Sequence, residues 1–338
     1  MMILRPIQQN DYSALLKIAH ESGHGFTSLP LNEELLQKKI DHSVSSFAKQ
    51  TSQPGDEGYL FVLEDSETGE VVGTSAIEAA VGLDDAFYHY HLSKVIHSSR
   101  TLDVYKAVDI LTLCNDYTGA TELCTLFLKD GYRKNCNGKL LSKARFMFIK
   151  QHQERFAQTV IAEMRGVSDE NGSSPFWQWL EEHFFSMDFP TADYLTGIGQ
   201  KVFIAELMPK YPIYVNLLSK DAQAVIGKVH DNTRPAIELL KSEGFTFNGY
   251  VDIFDAGPTV EAKVDNIATI RNAHNFKVEI GQMTGDTMVL LANEKLNDFR
   301  ATVAPMSFDD RAKSLILSQE IADALHLQAG DIVSATPV

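Results

Sequence analysis

The chain has 338 residues, 44% of them hydrophobic and 22% charged, an ordinary globular composition with room for two cores or one large one. Its formal net charge of −15 argues against general nucleic-acid binding and suits either cationic substrates or a plainly solvated acidic surface. No stretch approaches the roughly 18–20 apolar residues of a membrane span, the opening MMILRPIQQNDY turns polar too early for a signal peptide, and the three cysteines (Cys114, Cys124, Cys136) form neither a CxxC pair nor a zinc spacing, so a cytoplasmic protein with no metal and no membrane association is expected.

Met2 to Arg5 reads as a strand, followed by a cap at Asn10 and Asp11 and a helix carrying Leu15, Leu16 and Ala19. A second helix is expected over about 32–47. Residues 58–64 and 71–77, joined by the turn at 66–70 with Gly69 in a positive-φ position, read as a β-hairpin. The aromatic- and histidine-rich segment 82–115 has no clean period and reads as strands mixed with a long connection. Leu123-Cys-Thr-Leu-Phe-Leu128 is a continuous apolar run, the mark of a strand buried on both faces. Gly138 then opens a helix with Leu140, Leu141, Ala144, Met147 and Phe148 on one face.

A strand over 159–164 and a proline-started helix from Ser174-Pro175 complete a first unit that closes near residue 195. The stretch Thr233-Arg-Pro-Ala-Ile-Glu-Leu-Leu-Lys-Ser-Glu-Gly-Phe245 echoes that helix, as if an α/β unit were duplicated, although two amphipathic helices also look alike by chance. The expected partition is 1–195, 196–265, and a β-rich segment 266–338 with strands over 276–280, 288–292, 299–303, 314–317 and 332–335.

Between Lys129 and Lys150 stand seven basic residues against one acid, Asp130, a local inversion of the chain's charge. It falls where a loop leaves a strand and enters a helix, whose free N–H groups and dipole favour an anion such as a polyphosphate. Arg133, Lys134 and Gly138 are the candidate ligands. The same lysines and arginines also fit the solvated outer face of an amphipathic helix.

The loop Arg133-Lys-Asn-Cys-Asn-Gly138 resembles the pyrophosphate loop of the GNAT acyl-CoA N-acyltransferase superfamily, with Cys136 where that pattern has its first glycine. A narrower resemblance, to the arginine N-succinyltransferase family, runs along nearly the whole chain. It is carried by Gly25-Phe-Thr-Ser-Leu-Pro30, Glu122-Leu-Cys-Thr-Leu-Phe-Leu128, Leu140-Leu-Ser-Lys-Ala-Arg-Phe-Met-Phe148, Ala162-Glu-Met-Arg-Gly166, Phe203-Ile-Ala-Glu-Leu-Met-Pro209 and Asp252-Ile-Phe-Asp255. The resemblance implies a mixed α/β fold of tandem GNAT-like units with largely antiparallel sheets. In that scheme 1–195 binds acyl-CoA, 196–265 contributes the catalytic histidine, and a β-rich C-terminal segment follows.

It also implies transfer of succinyl from succinyl-CoA to the α-amine of L-arginine. The family's succinyl-CoA contact falls on Leu126, and its proton-donor histidine on His230, one of eleven histidines. Such a transfer needs a site for the oxyanion and a proton for the departing thiolate. It also calls for a carboxylate facing the guanidinium, for which Glu163, Asp169 and Glu170 are candidates, and a cation facing the succinyl tail, for which Arg165 is one. Ornithine or another cationic amine is an alternative acceptor. A noncatalytic acyl-CoA-binding subunit, within a homo-oligomer or beside a paralogous chain, is an alternative role.

Overall fold

A strand order that jumps repeatedly along the chain organises the molecule. The computed structural model describes residues 1–22, 28–169 and 172–338; the start of one family-like stretch (Gly25, Phe26, Thr27) and the candidate Glu170 lie outside the described residues. In chain order come β1 (Met2–Pro6), α1 (Tyr12–Ser22), α2 (Glu33–Ala48), β2 (Gly58–Asp65), β3 (Glu70–Glu78), β4 (His89–Ser99), β5 (Val104–Cys114) and β6 (Thr121–Leu128). Then follow α3 (Asn137–Gln151), β7 (Thr159–Glu163), α4 (Pro175–Leu180), α5 (Phe189–Gly197), α6 (Val202–Leu207), β8 (Ile213–Tyr214), α7 (Lys220–Val225) and α8 (Arg234–Ser242). The chain ends with β9 (Thr246–Val251), β10 (Pro258–Lys263), α9 (Ala268–Asn272), β11 (His274–Ile280), β12 (Thr287–Ala292), β13 (Ala301–Met306), β14 (Ser314–Leu317), α10 (Gln319–Ala324) and β15 (Ile332–Pro337).

All fifteen strands join one mixed, largely antiparallel sheet in the order β14-β11-β15-β12-β13-β1-β2-β3-β6-β7-β10-β9-β4-β5-β8, with β6–β7 and β11–β14 as the parallel neighbours. Local chemistry explains the early elements. The Asn32 side chain accepts from the Leu35 amide at 3.1 Å and starts α2, with Glu33 and Glu34 placed favourably in its first turn. Gly69 takes φ +70° in the hairpin turn, as expected.

The helix α3 packs its Leu140, Leu141, Ala144, Met147 and Phe148 face on the sheet. Phe148 meets Phe61 and Phe299 edge-on, each at 5.1 Å between ring centroids, so the C-terminal segment contributes to the central core as well as to the sheet.

Three local expectations need correction. The β6 strand is not buried on both faces: Glu122, Cys124, Leu126 and Phe127 are only half-buried, because one side of the strand borders a cavity. The segment 82–115 is dominated by one long hairpin, β4–β5, whose distal half is wet on both faces and therefore has no apolar period. The α4 helix does not lead into a strand as its echo α8 does; it runs into a π-helical turn, Glu181–Phe185, and then α5.

Candidate active site

The parallel ladder between β6 and β7 covers only Thr121↔Val160 and Glu122↔Ile161. Beyond it lies a cavity of about 760 Å³, lined by residues 122–127 of β6 and by 162–165, the end of β7 and its exit. Ser22 and Ser28, Arg145 of α3, Ala236 and Leu240 of α8, and Asp252 and Asp255 of the turn before β10 are also among its lining.

A bulge shapes the β6 wall. The β3–β6 register shifts between Thr74 and Ala76, which takes Thr125 and Leu126 out of step with β3. Thr125 adopts φ +55°, an outlier for a β-branched residue and a strain of roughly 1–3 kcal/mol. The Thr74 hydroxyl holds it by donating to the Thr125 carbonyl at 2.8 Å.

Acidic groups dominate the floor. Burial first, then Glu163 and Glu78, push the Glu122 carboxyl up to about 8. Glu163, raised well above the carboxylate range by burial and by Asp252, lies 2.8 Å from the His89 ring, out of line for a hydrogen bond. Burial and Asp252 likewise raise Asp255, whose two oxygens accept the Gly166 and Gly257 amides at 2.6 and 2.7 Å. Such a floor is built to receive a cation, which would recover its lost ionisation.

Of the residues singled out from sequence, Leu126, Arg133, Glu163 and Arg165 line the cavity. Arg165 donates to Ser168 Oγ at 3.0 Å, and burial lowers its pKa despite Asp255 and Asp193. His230 is not itself a lining residue, but its amide donates to the Arg165 carbonyl at 2.9 Å and its Nδ1 accepts the Asn232 amide at 3.1 Å. That second bond leaves the neutral ring's proton on Nε2. Burial, then Arg165, lowers the His230 pKa. Asp169 stays outside: it is exposed and accepts the Ser173 amide within its own loop.

The phosphate-loop expectation gains one feature and loses several. Asn135 and Cys136 take φ +51° and +65°, so Cys136 has the left-handed backbone that favours the glycine of the superfamily pattern. Gly138 lies inside the first turn of α3, with open space where a Cβ would be. Most of the seven basic side chains are already engaged. Lys129 pairs with Glu70, Arg133 with Asp130 and the Leu128 carbonyl, Lys143 with Glu243, and Lys150 with the Ile270 and Ala273 carbonyls. Lys134, whose Nζ stands 6.0 Å from the Tyr132 ring, and Lys139 are exposed and have no ion-pair partner among the described residues.

Sequence reasoning passed over Glu122, Asp252 and Asp255 as site residues and counted Arg145 only as part of the basic cluster. The spacing of Arg145 from Leu141 and Phe148 places it on the buried face of α3, which was a readable signal.

Residues 2–269 match the family model described as arginine N-succinyltransferase beta subunit, and residues 274–337 match the model of its C-terminal domain. The chain is 50% identical over 335 residues to the arginine N-succinyltransferase of Escherichia coli (strain 55989 / EAEC), covering 98% of this chain and 96% of that one. It is 49% identical, with the same coverage, to the enzyme of that name from Salmonella schwarzengrund (strain CVM19633). The solved structure of arginine/ornithine succinyltransferase subunit AI from Pseudomonas aeruginosa superposes with a TM-score of 0.92 at 37% identity, covering 100% of this chain and 98% of that one.

Proposed function

The chain belongs to the arginine N-succinyltransferase family, and on that premise we propose that it transfers succinyl from succinyl-CoA to the α-amine of L-arginine, giving N2-succinylarginine and CoA. The observation that carries the reading is the cleft between β6 and β7, bulged on one wall, acidic on its floor and bordered by the His230 loop. The setting is cytoplasmic, and among the described residues no helix is long and apolar enough to cross a membrane.

In this reading the neutral amine attacks the thioester carbonyl, the C–S bond breaks, the ammonium that forms loses a proton, and the CoA thiolate gains one. His230 takes up the proton that the ammonium loses and, as imidazolium, gives one from Nε2 to the thiolate, its Nδ1 side being held toward the Asn232 amide. Strand amides around Leu126, out of register with β3, face the thioester oxygen. Arg133, Lys134 and the amides near Gly138 hold the phosphates at the start of α3. Glu163, with Glu122 and Asp252, takes the guanidinium, and Arg165 offers a cation to a substrate carboxylate.

The division of labour follows the sequence partition, with 1–195 binding acyl-CoA, 196–265 bringing His230, and 266–338 completing the sheet. The Pseudomonas relative is described as a subunit and as acting on arginine or ornithine, which favours ornithine as a second acceptor and assembly as a homo-oligomer or with a paralogous chain.

The test is thiol release from succinyl-CoA with arginine, ornithine, lysine or no amine, for wild type and His230→Ala. Arginine-selective release lost in the variant supports the assignment. Binding of succinyl-CoA with no release for any amine points instead to a noncatalytic subunit.

A further inference from the structure

We infer that Arg145 receives the free carboxylate of the succinyl group and so selects dicarboxylic over neutral acyl donors; the inference rests on the acyl-CoA reading above. Arg145 is 2% exposed, yet it lines the cavity between β6 and β7. Its Nε donates to the Ser142 carbonyl at 3.2 Å and its Nη2 to Ser142 Oγ at 3.1 Å, both within its own helix. Nη1 makes no hydrogen bond among the described residues, and no carboxylate pairs with the guanidinium there. A guanidinium stays charged in proteins, and a charge this buried is costly unless something of opposite sign meets it.

The other buried arginines, Arg5 and Arg155, and the half-buried Arg165 are answered differently. Arg5 is bound by the Asp11 and Glu64 carboxylates. Arg155 donates to the Tyr59 hydroxyl and the Lys49 carbonyl and is not part of the cavity wall. Arg165 lies in the same cavity, but Asp255 and Asp193 already act on it. Arg145 alone among these combines burial, a cavity-facing position and the lack of an acidic partner.

Its depth separates it from the phosphate loop. Arg145 stands eight residues into α3 from Asn137, about 12 Å along the helix axis. A ligand whose phosphates sit at the start of α3 therefore presents a more distal part to this guanidinium. With Nε and one Nη2 proton committed to Ser142, the Nη1 and Nη2 edge remains for a bidentate carboxylate.

The experiment compares succinyl-CoA with butyryl-CoA, which has the same four-carbon chain without the carboxylate, for wild type, Arg145→Met and Arg145→Lys. The wild type is expected to prefer succinyl-CoA, and Arg145→Met to lower the succinyl/butyryl ratio of kcat/KM by about 10- to 100-fold, the range of a charge-assisted hydrogen bond. Arg145→Lys, which keeps the charge and loses the fork, should fall between. A wild type with no preference for succinyl-CoA overturns the inference without recourse to any variant. So does a succinyl/butyryl ratio that is unchanged in folded Arg145→Met, or a variant that raises KM for arginine while the donor ratio stays put. Calorimetric binding of the two acyl-CoAs separates the two levels. If the wild type binds succinyl-CoA more tightly without transferring it, and Arg145→Met loses that difference, the transfer reading falls and the carboxylate site stands.

Discussion

The backbone amide of His230 donates to the carbonyl oxygen of Arg165 at 2.9 Å. With the adjoining bridge Gly166↔Val229, it ties the loop after α7 to the exit of β7 as a short extra strand at the edge of the cavity. The histidine is thereby placed by backbone pairing, independently of its own side chain.

Substituting the ring should therefore affect chemistry more than assembly. His230→Ala is expected to reduce kcat by roughly 10²–10⁴-fold with little change in succinyl-CoA binding. His230→Gln, whose amide cannot give up a proton, should lose about as much turnover as Ala. Equal activity in wild type and His230→Ala would remove the histidine from the mechanism.

The Glu122 carboxyl makes stability depend on pH. Its folded pKa of about 8 lies above the ordinary 4.5, so its contribution is complete below about 4.5 and is lost as pH rises through about 8. The unliganded protein should lose stability between about pH 5 and 8, with a slope of at most about 1.4 kcal/mol per pH unit from this group, and no further from it above that. Glu122→Gln, neutral throughout, should flatten that slope; denaturant midpoints at both pH values for both proteins check it, and identical slopes would refute it.

The basic cluster divides into structural and ligand-facing members. Lys143 is 14% exposed and pairs at 2.9 Å with Glu243, which is 1% exposed and also accepts from Thr269. Lys143→Met should destabilise by about 3 kcal/mol, since it leaves a buried carboxylate without its cation. Lys134→Ala and Lys139→Ala should shift stability by no more than about 0.5 kcal/mol and raise KM for succinyl-CoA in a salt-dependent way. Urea unfolding alongside KM at two ionic strengths distinguishes the groups.

Gly257 lies where a side chain would meet backbone. A Cβ there would collide with the Met164 carbonyl oxygen and lie 2.6 Å from the Gly166 nitrogen, neither of which can rotate away. Gly257→Ala should cost about 3 kcal/mol or more, the upper end of overpacking, and disturb the Asp255 bonds to Gly166 and Gly257. A Tm within a degree of wild type would contradict this.

The sequence was most readable where structure is local. The Asn32 cap, the Gly69 turn and the 3.6-residue spacing in α3 each depend on neighbours a few residues away. It was least readable where partners are remote. Nothing in 159–163 announces that β10 will pair beside it, and so nothing marked Asp255 as the acceptor of the Gly166 amide. In the site, Glu163 and Arg165 are legible as the charges that a guanidinium and a succinyl tail call for. Glu122 stands just before the apolar run 123–128, and Arg145 sits beside Lys143, which is structural.

The strand order also sets a timetable. β7 pairs with β6 just before it and with β10 about a hundred residues after it, while Met2 receives the Thr302 hydroxyl across 300 positions. Loops of that length close slowly relative to helices and hairpins. Both walls of the cavity, and the amide that anchors its acidic floor, thus come together only when most of the chain is present and paired. During refolding, recovery of acyl-CoA binding should trail recovery of secondary structure, so occupancy of this cleft reports that the whole sheet has closed.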